Sequence, residues 1–404
     1  MRLPAEAYPI LTSVATHLAH LRPAQQEGLA WWVYGAMLAG SGCQAAVLTA
    51  LEPVVGAGHR AALRQRLREV LYAGADKAAP CGTEVDAAAC FAPLLGWVLD
   101  WWHGDALPVA LDATYLRDRL VVISVSVLYR GSAIPVAWHV TAANRKGAWL
   151  TPALGLLDQL APAVPTATRV LVLADRGLWS PRVWEAIRTH GWHPLLRIRQ
   201  EATFRPQGGT RVRATSVVPE AGQAWVGAGI AFKEASKRQA ATLIALWEPD
   251  QPAPCLVLTD LPPEQVGMCW YGLRSWVELG FRALKSLGWH WERSRRTDPD
   301  RVARHWLILA IATLWTLATG TRAEDAAQLG RAPANLRVAV PPSPTRGQRA
   351  VSVFARGLAW LRWQLLRVRR LWRRQWLWPE ALPTGPSGLL VTIVPTALPQ
   401  PLPP

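Results

Sequence analysis

The stretch 169–199, RVLVLADRGLWSPRVWEAIRTHGWHPLLRIR, decides what kind of fold this chain adopts. Its first seven residues, RVLVLAD, are an uninterrupted apolar run ending in an acid, which is the pattern of a strand buried on both faces. SPRVWEAIRTHG at 180–191 follows as a helix with a Ser start signal and a Gly stop, and HPLLRIR at 193–199 reads as another strand. A strand, a helix and a second strand in close succession make a parallel unit. Working back from it, GAWLTPALGLLDQLAP at 147–162 has helical periodicity. Before that, PVALDAT (108–114), LVVISVSVLYRG (120–131) and AIPVAWHVTA (133–142) are three closely spaced Val- and Ile-rich runs, with Gly131 marking the second turn. The order β-β-β-α-β-α-β predicts an α/β domain with a mixed sheet.

Beyond residue 200 the helical period disappears. TRVRATSVV, QAWVGAGIAF, ATLIALWEP and CLVLTDL read as strands and turns, so 201–262 is expected to be a β-rich insertion. A long helix is expected from Pro263 and a second from Asp300. Towards the N-terminus, Leu29–Leu51 has no charged residue, but Gly40-Ser41-Gly42 interrupts it, and two buried helices around a turn are expected. Trp306–Thr319 is too short to cross a bilayer and reads as a core helix. Residues 76–95 look like a linker. These readings divide the chain into a helical region at 1–95, an α/β domain at 96–320, a basic Trp-rich helical region at 321–378 and a Pro-rich tail at 379–404 expected to be disordered.

The chain has 404 residues, half of them hydrophobic, and a formal charge of +16 from 44 Lys plus Arg against 28 Asp plus Glu. That balance favours a polyanionic partner. Nucleic acid and a membrane surface both fit, as does the Arg enrichment of a high-GC genome. Five cysteines without a C-x-x-C pair argue against a disulfide framework or a zinc ribbon and for a reducing, cytoplasmic setting. The first twenty residues lack the charged and apolar segments of a signal peptide.

Asp112 and Asp175 each close an apolar run, which places both carboxylates where a buried strand is expected to leave the sheet. Strand carboxyl ends of open α/β sheets are where ligands bind, although an Asp that merely opens a turn looks the same. In the helix expected after the insertion, Tyr271, Arg274, Glu278 and Lys285 fall within an arc of roughly 60° at 3.6 residues per turn, and Arg282 extends the stripe. Trp270, Leu273, Val277, Phe281 and Leu284 form the neighbouring apolar face. By spacing alone, one Glu among cations is as readily a surface salt-bridge face as a functional one. In HRAALRQRLREVLYAG, Arg60, Arg64 and Arg68 share a helix face that suits either DNA contact or simple solvation.

Y-x2-R-x3-E-x6-K matches the signature helix of insertion-sequence transposases of the Y-R-E-K type (insertion sequence family four), enzymes that cut and rejoin DNA. YGLRSWVELGFRALKSLGWHWERSRRTDPDRVARHWLILAIATLW resembles that family throughout, LADRGLWSPRVWEAIRTHGWHPLLRIR resembles its second-aspartate block, and ALDATYL the first. The resemblance covers about 105–320. It implies a ribonuclease H-like mixed sheet with a β-rich insertion before the last catalytic helix, and a catalytic triad of Asp112, Asp175 and Glu278. Two Mg²⁺ or Mn²⁺ ions held about 3.5 to 4 Å apart by these acids would then serve cleavage and strand transfer. Also implied are DNA contacts from Tyr271, Arg274, Arg282 and Lys285, a base-stacking aromatic such as Trp225 or Trp247, binding of terminal inverted repeats and target DNA, and a homodimer on DNA with no membrane partner. The alternatives are a catalytically inactive DNA-binding derivative and another ribonuclease H-like nuclease.

Overall fold

A computed structural model describes residues 2–76, 84–116, 118–143, 149–332, 350–372, 374–383 and 390–394. Five helices come first: α1 (Tyr8–His17), α2 (Pro23–Ala39), α3 (Gln44–Val55), α4 (Arg60–Leu71) and α5 (Phe91–Asp100). The expected turn between two buried helices is present. α2 ends on Gly40 in the left-handed region at φ 63°, and α3 leaves at 93° to it. The linker reading of 76–95 is too long, because Ala88–Cys90 and the start of α5 are already helical. Phe91, Leu94, Leu95 and Val98 repeat at helical spacing there and are all buried.

Three antiparallel strands follow, β1 (Ala106–Leu116), β2 (Leu120–Tyr129) and β3 (Ser132–Ala142). Gly131 at φ 77° and Arg130 at φ 44° make the second turn. Then come α6 (Leu150–Leu160), β4 (Arg169–Ala174), α7 (Pro181–Thr189) and β5 (His193–Arg197), with the Ser180 hydroxyl accepting the Val183 N–H at the start of α7. β4 and β5 lie parallel to β1 in the order β3-β2-β1-β4-β5. The mixed α/β sheet is therefore as expected from the element order.

The β-rich stretch contains β6 (Thr203–Pro206), β7 (Val212–Arg213), β8 (Gln223–Ala231), β9 (Gln239–Leu246) and β10 (Cys255–Thr259). It continues the same sheet rather than standing apart. β10 pairs with β5 through Val257↔Arg197 and Leu258↔Leu196, and the order runs on as β10-β9-β8-β6-β7. α8 (Ser275–Leu284) packs on β1, β2 and β3, and the 30-residue α9 (Pro299–Gln328) packs on β3, α2 and α10 (Val353–Leu366).

Two expectations are corrected here. No long helix starts at Pro263: there are short 3-10 turns at Pro263–Gln265 and Trp270–Arg274, and α8 has only ten residues. Pro262, Pro263 and Gly267 interrupt helical hydrogen bonding in this stretch. Nor is the tail wholly without structure. Leu390–Val394 forms β11, parallel to β8 along Gln223–Gly227. LVTIV is a β-branched run inside the Pro-rich segment, and the part of the β8 edge that the short β6 leaves uncovered offers it open backbone groups.

α9 has the length and hydropathy of a membrane span, yet 94% of its apolar window is buried inside the protein. Its tryptophans explain where that surface goes. Trp306 meets Trp291 edge to face at 5.6 Å, and Trp315 meets Trp101 at 5.5 Å. The C-terminal Trp-rich region also turns inward in part. Trp360 packs near Trp363 and Trp372, and Arg322 stacks over Trp372 and Trp376.

Candidate active site

β1 outruns its parallel partner. Its pairing with β4 ends at Leu111↔Ala174, so Asp112 and Asp175 occupy the next rung, side by side where β4 leaves the sheet. Asp112 is thus not at a strand end, as the apolar run suggested. β1 continues to Leu116, and Asp112 pairs with Ser124 of β2. Only on its β4 side does the sheet open. Asp175, in contrast, directly follows β4 and begins the turn Arg176–Leu178.

α8 brings the third acid. Val277, Phe281 and Leu284 are buried against the sheet, as expected for the apolar face, and this directs Glu278 outward, its side chain 58% exposed. Gly280 sets how closely the helix approaches: a Cβ there would lie 2.7 Å from the Ala133 Cβ and 3.0 Å from the Ala133 nitrogen on β3.

The three carboxylates converge on Arg274. Its Nη2 lies 2.8 Å from Asp112 Oδ2 and 3.9 Å from Asp175 Oδ2, while Nη1 lies 3.1 Å from Glu278 Oε1. Arg197, from the end of β5, approaches the other oxygen of Asp175 at 3.7 Å. Burial raises the Asp112 carboxyl above the ordinary range, against the pull of Arg274 and of the Ala113 N–H; Asp175 and Glu278 add to the rise. At Arg274 burial acts to lower the proton affinity, but Asp112, Tyr271, Asp175 and Glu278 more than offset it. At Asp112 burial wins, and at Arg274 attraction does.

Tyr271 and Lys285 flank this centre. The Tyr271 hydroxyl donates to the Ala174 carbonyl at 3.3 Å, and burial raises its proton affinity. Lys285 Nζ donates to Thr114 Oγ1 and to the Tyr115 carbonyl, both at 2.7 Å, and burial lowers its proton affinity against the attraction of Glu292. The stripe is not carried by one continuous helix. Tyr271 and Arg274 sit in the 3-10 turn, and Lys285 caps α8 at φ −98°, ψ −123°. Arg282 is exposed on α8. Arg197 was missed by sequence reading; the signal available was that LLRIR and LVLAD end at neighbouring points of parallel strands.

Elsewhere, Arg60, Arg64 and Arg68 lie exposed on α4, with Arg60 paired to Glu52 and Arg68 over the Tyr72 ring at 4.8 Å. Among the described residues none of the three contacts a carboxylate of the centre. Trp225 stands edge to face with Phe204, and both Trp225 and Trp247 sit at the end of β8 and β9 that meets Cys255 at the start of β10.

Among the described residues no three His, Cys, Asp or Glu side chains are gathered tightly enough to hold a metal ion as they stand. The donor set nevertheless fits a hard divalent cation. Three carboxylates surround one positive group, and Asp175 Oδ1 is buried without a hydrogen-bond partner. A family model described as a transposase DDE domain matches residues 118–315, just under half of the chain. The matched span includes Asp175, Tyr271, Arg274, Glu278 and Lys285 and begins six residues after Asp112. It supports a DDE transposase. No curated protein matches the chain.

Proposed function

We propose that this chain is a bacterial insertion-sequence transposase that uses Asp112, Asp175 and Glu278 to cut the ends of its element and join them to target DNA. The observation that carries the reading is the convergence of these acids, from β1, from the end of β4 and from α8, on a single cationic position. Such a position, open towards Glu278, suits a reaction in which negative charge builds on a phosphodiester.

Asp112, Asp175 and Glu278 would hold Mg²⁺ or Mn²⁺, two ions per site. When bound, these ions supply Lewis-acid activation of an oxygen nucleophile and neutralise charge on the leaving oxygen. For the acids to serve, Arg274 withdraws from between them, and its guanidinium then offers its donor fork to a DNA phosphate near the cut. Lys285, fixed by Thr114 and Tyr115, presents a point charge to the backbone beside β1. Tyr271 lines the floor at Ala174, and Trp225 or Trp247 would stack on a displaced base. In the first step water attacks phosphorus and the 3′ oxygen leaves, taking up a proton; in the second that 3′-hydroxyl attacks a target phosphorus, and the target strand's own 3′ oxygen leaves with the proton. No bond to the protein forms. Arg60, Arg64 and Arg68 on α4 suit contact with the element end, and two copies would pair two ends in the bacterial cytoplasm.

The test is incubation of the purified protein with Mg²⁺ and DNA carrying the inverted repeats that flank its coding region. Cleavage and strand transfer are expected, and both should vanish with D112N or E278Q while end binding persists. Absence of cleavage on true ends would sink the reading. Loss of end binding in the acid variants would make the acids structural instead.

A further inference from the structure

A second basic site lies beyond Lys285. A cleft of about 700 Å³ is lined by Leu116, Arg119, Glu292, Arg293, Arg295 and Arg296. Four guanidinium groups face one carboxylate. Leu116 is four residues beyond Asp112 on the same strand, about 13 Å at 3.3 Å per residue. Lys285, bonded to Tyr115, stands between the two places.

The wall that carries three of these arginines is rigidly anchored. Trp289 and Trp291 are fully buried; Trp289 Nε1 donates to Thr313 Oγ1 at 2.9 Å, and the Gly42 N–H donates to the Trp289 carbonyl at 2.6 Å. Between and after them the backbone is strained: His290 and Arg295 take left-handed conformations at φ 52° and 55° on either side of the 3-10 turn Trp291–Ser294. Non-glycine residues held this way are strained, and they gather at active sites and ligand clamps. One of the two, Arg295, is itself a lining arginine.

Their charge is poorly matched from within. Glu292 is shared by His290 at 3.8 Å and Arg293 at 4.0 Å. Arg119 and Arg295 are exposed and have no carboxylate within ion-pair distance among the described residues. Arg296 is half-buried; its Nη2 is 3.4 Å from Gln44 Oε1, and its Nε has no partner. A concave wall of unmatched guanidinium groups is complementary to phosphate, whose oxygens take two parallel N–H donors.

We infer that this cleft binds the phosphodiester backbone of DNA outside the catalytic centre, without reading bases. The inference rests on the function proposed above only in taking the polyanion to be DNA. The backbone could belong to the element end beyond the cut or to a second duplex, and the chemistry is the same for both.

The test uses the full chain and fluorescence anisotropy over a range of salt concentrations, with short duplexes carrying either the element end or a scrambled sequence. The variant R119Q/R293Q/R295N removes three charges, with Asn at 295 because it tolerates the left-handed backbone. Its log–log salt slope should fall by about two to three, with both sequences weakened alike. R119K/R293K keeps the charge and should keep the slope. An unchanged slope in the triple variant, or an equal loss in the lysine variant, would overturn the inference. If a labelled random duplex is no longer captured by a preformed end complex, the site holds a second duplex; if end binding itself weakens, it holds the element's own backbone. A reduced slope without any cleavage by the parent chain would retain the cleft and sink the proposed reaction, and intact cleavage with an unchanged slope would do the opposite.

Discussion

Arg274 Nη2 stands 2.8 Å from Asp112 Oδ2, so a guanidinium occupies the centre that the three carboxylates enclose. The side chains of both residues are largely buried, at 16% and 12% exposure. An ion pair in that setting is held less by its own net attraction than by what its loss would leave behind, a buried unmatched charge.

Replacing Arg274 with Ala should therefore destabilise the divalent-free protein by about 2–4 kcal/mol. Urea unfolding measures this. Added Mg²⁺ should restore part of the loss, because the cation takes over the neutralising role, whereas it should add little to the parent chain without DNA. Equal Mg²⁺ effects on both would contradict competition for one position.

Asp112 gives a pH signature. Its folded-state carboxyl is raised by burial and by Asp175 and Glu278, so the fold prefers it protonated. Its contribution to stability is then greatest below the ordinary carboxylate range and declines as pH rises through the raised value. D112N mimics the protonated form, and its stability relative to the parent should improve from acid towards neutral pH in divalent-free buffer. A constant difference would show that the carboxyl is not raised.

His305 works in the other direction. It is fully buried, its Nε2 is 2.8 Å from the Gly42 carbonyl, and burial pushes its pKa down to about 3. The unfolded chain takes up a proton near 6.5 that the folded one refuses. Stability should be intact above pH 6.5 and fall on acidification towards pH 3, at up to about 1.4 kcal/mol per unit. H305Q should flatten that slope, as followed by thermal unfolding against pH.

Gly280→Ala tests the seating of α8. In an open helix the change would stabilise by up to about 1 kcal/mol. Against Ala133 it should instead cost about 1–3 kcal/mol through overpacking. Because Glu278 lies on the same turn, cleavage by the variant should drop at least about tenfold, as expected for a misplaced catalytic group. Unchanged stability and cleavage would mean that the helix and β3 yield freely.

Lys285→Met tests the bridge to β1. It removes two hydrogen bonds while keeping the stem, and should weaken element-end binding with a lower salt slope, by about one. K285R should recover part of both.

Much of this molecule was legible in local pattern. The runs at 108–114, 120–131, 133–142 and 169–175 became β1 to β4, the Ser-started helix became α7, and the apolar face of α8 is buried where its periodicity pointed. Such readings succeed because burial imposes a period of two or 3.6 on neighbouring residues, and that period is written in the chain itself. Asp175 and the cationic run around Glu278 were visible for the same reason. Tertiary structure decided the rest. That Asp112 and Asp175 share a rung depends on the register of β1 against β4, whose partners are 63 residues apart in the chain. The union of β10 with β5 and the landing of β11 on β8 depend on open sheet edges, which no local period encodes. Arg197 joined the site only because parallel strands align their ends. Arg274 took the middle of three acids, rather than an exposed flank, because two of those carboxylates lie side by side in a partly buried place where their charge needs a counter-ion.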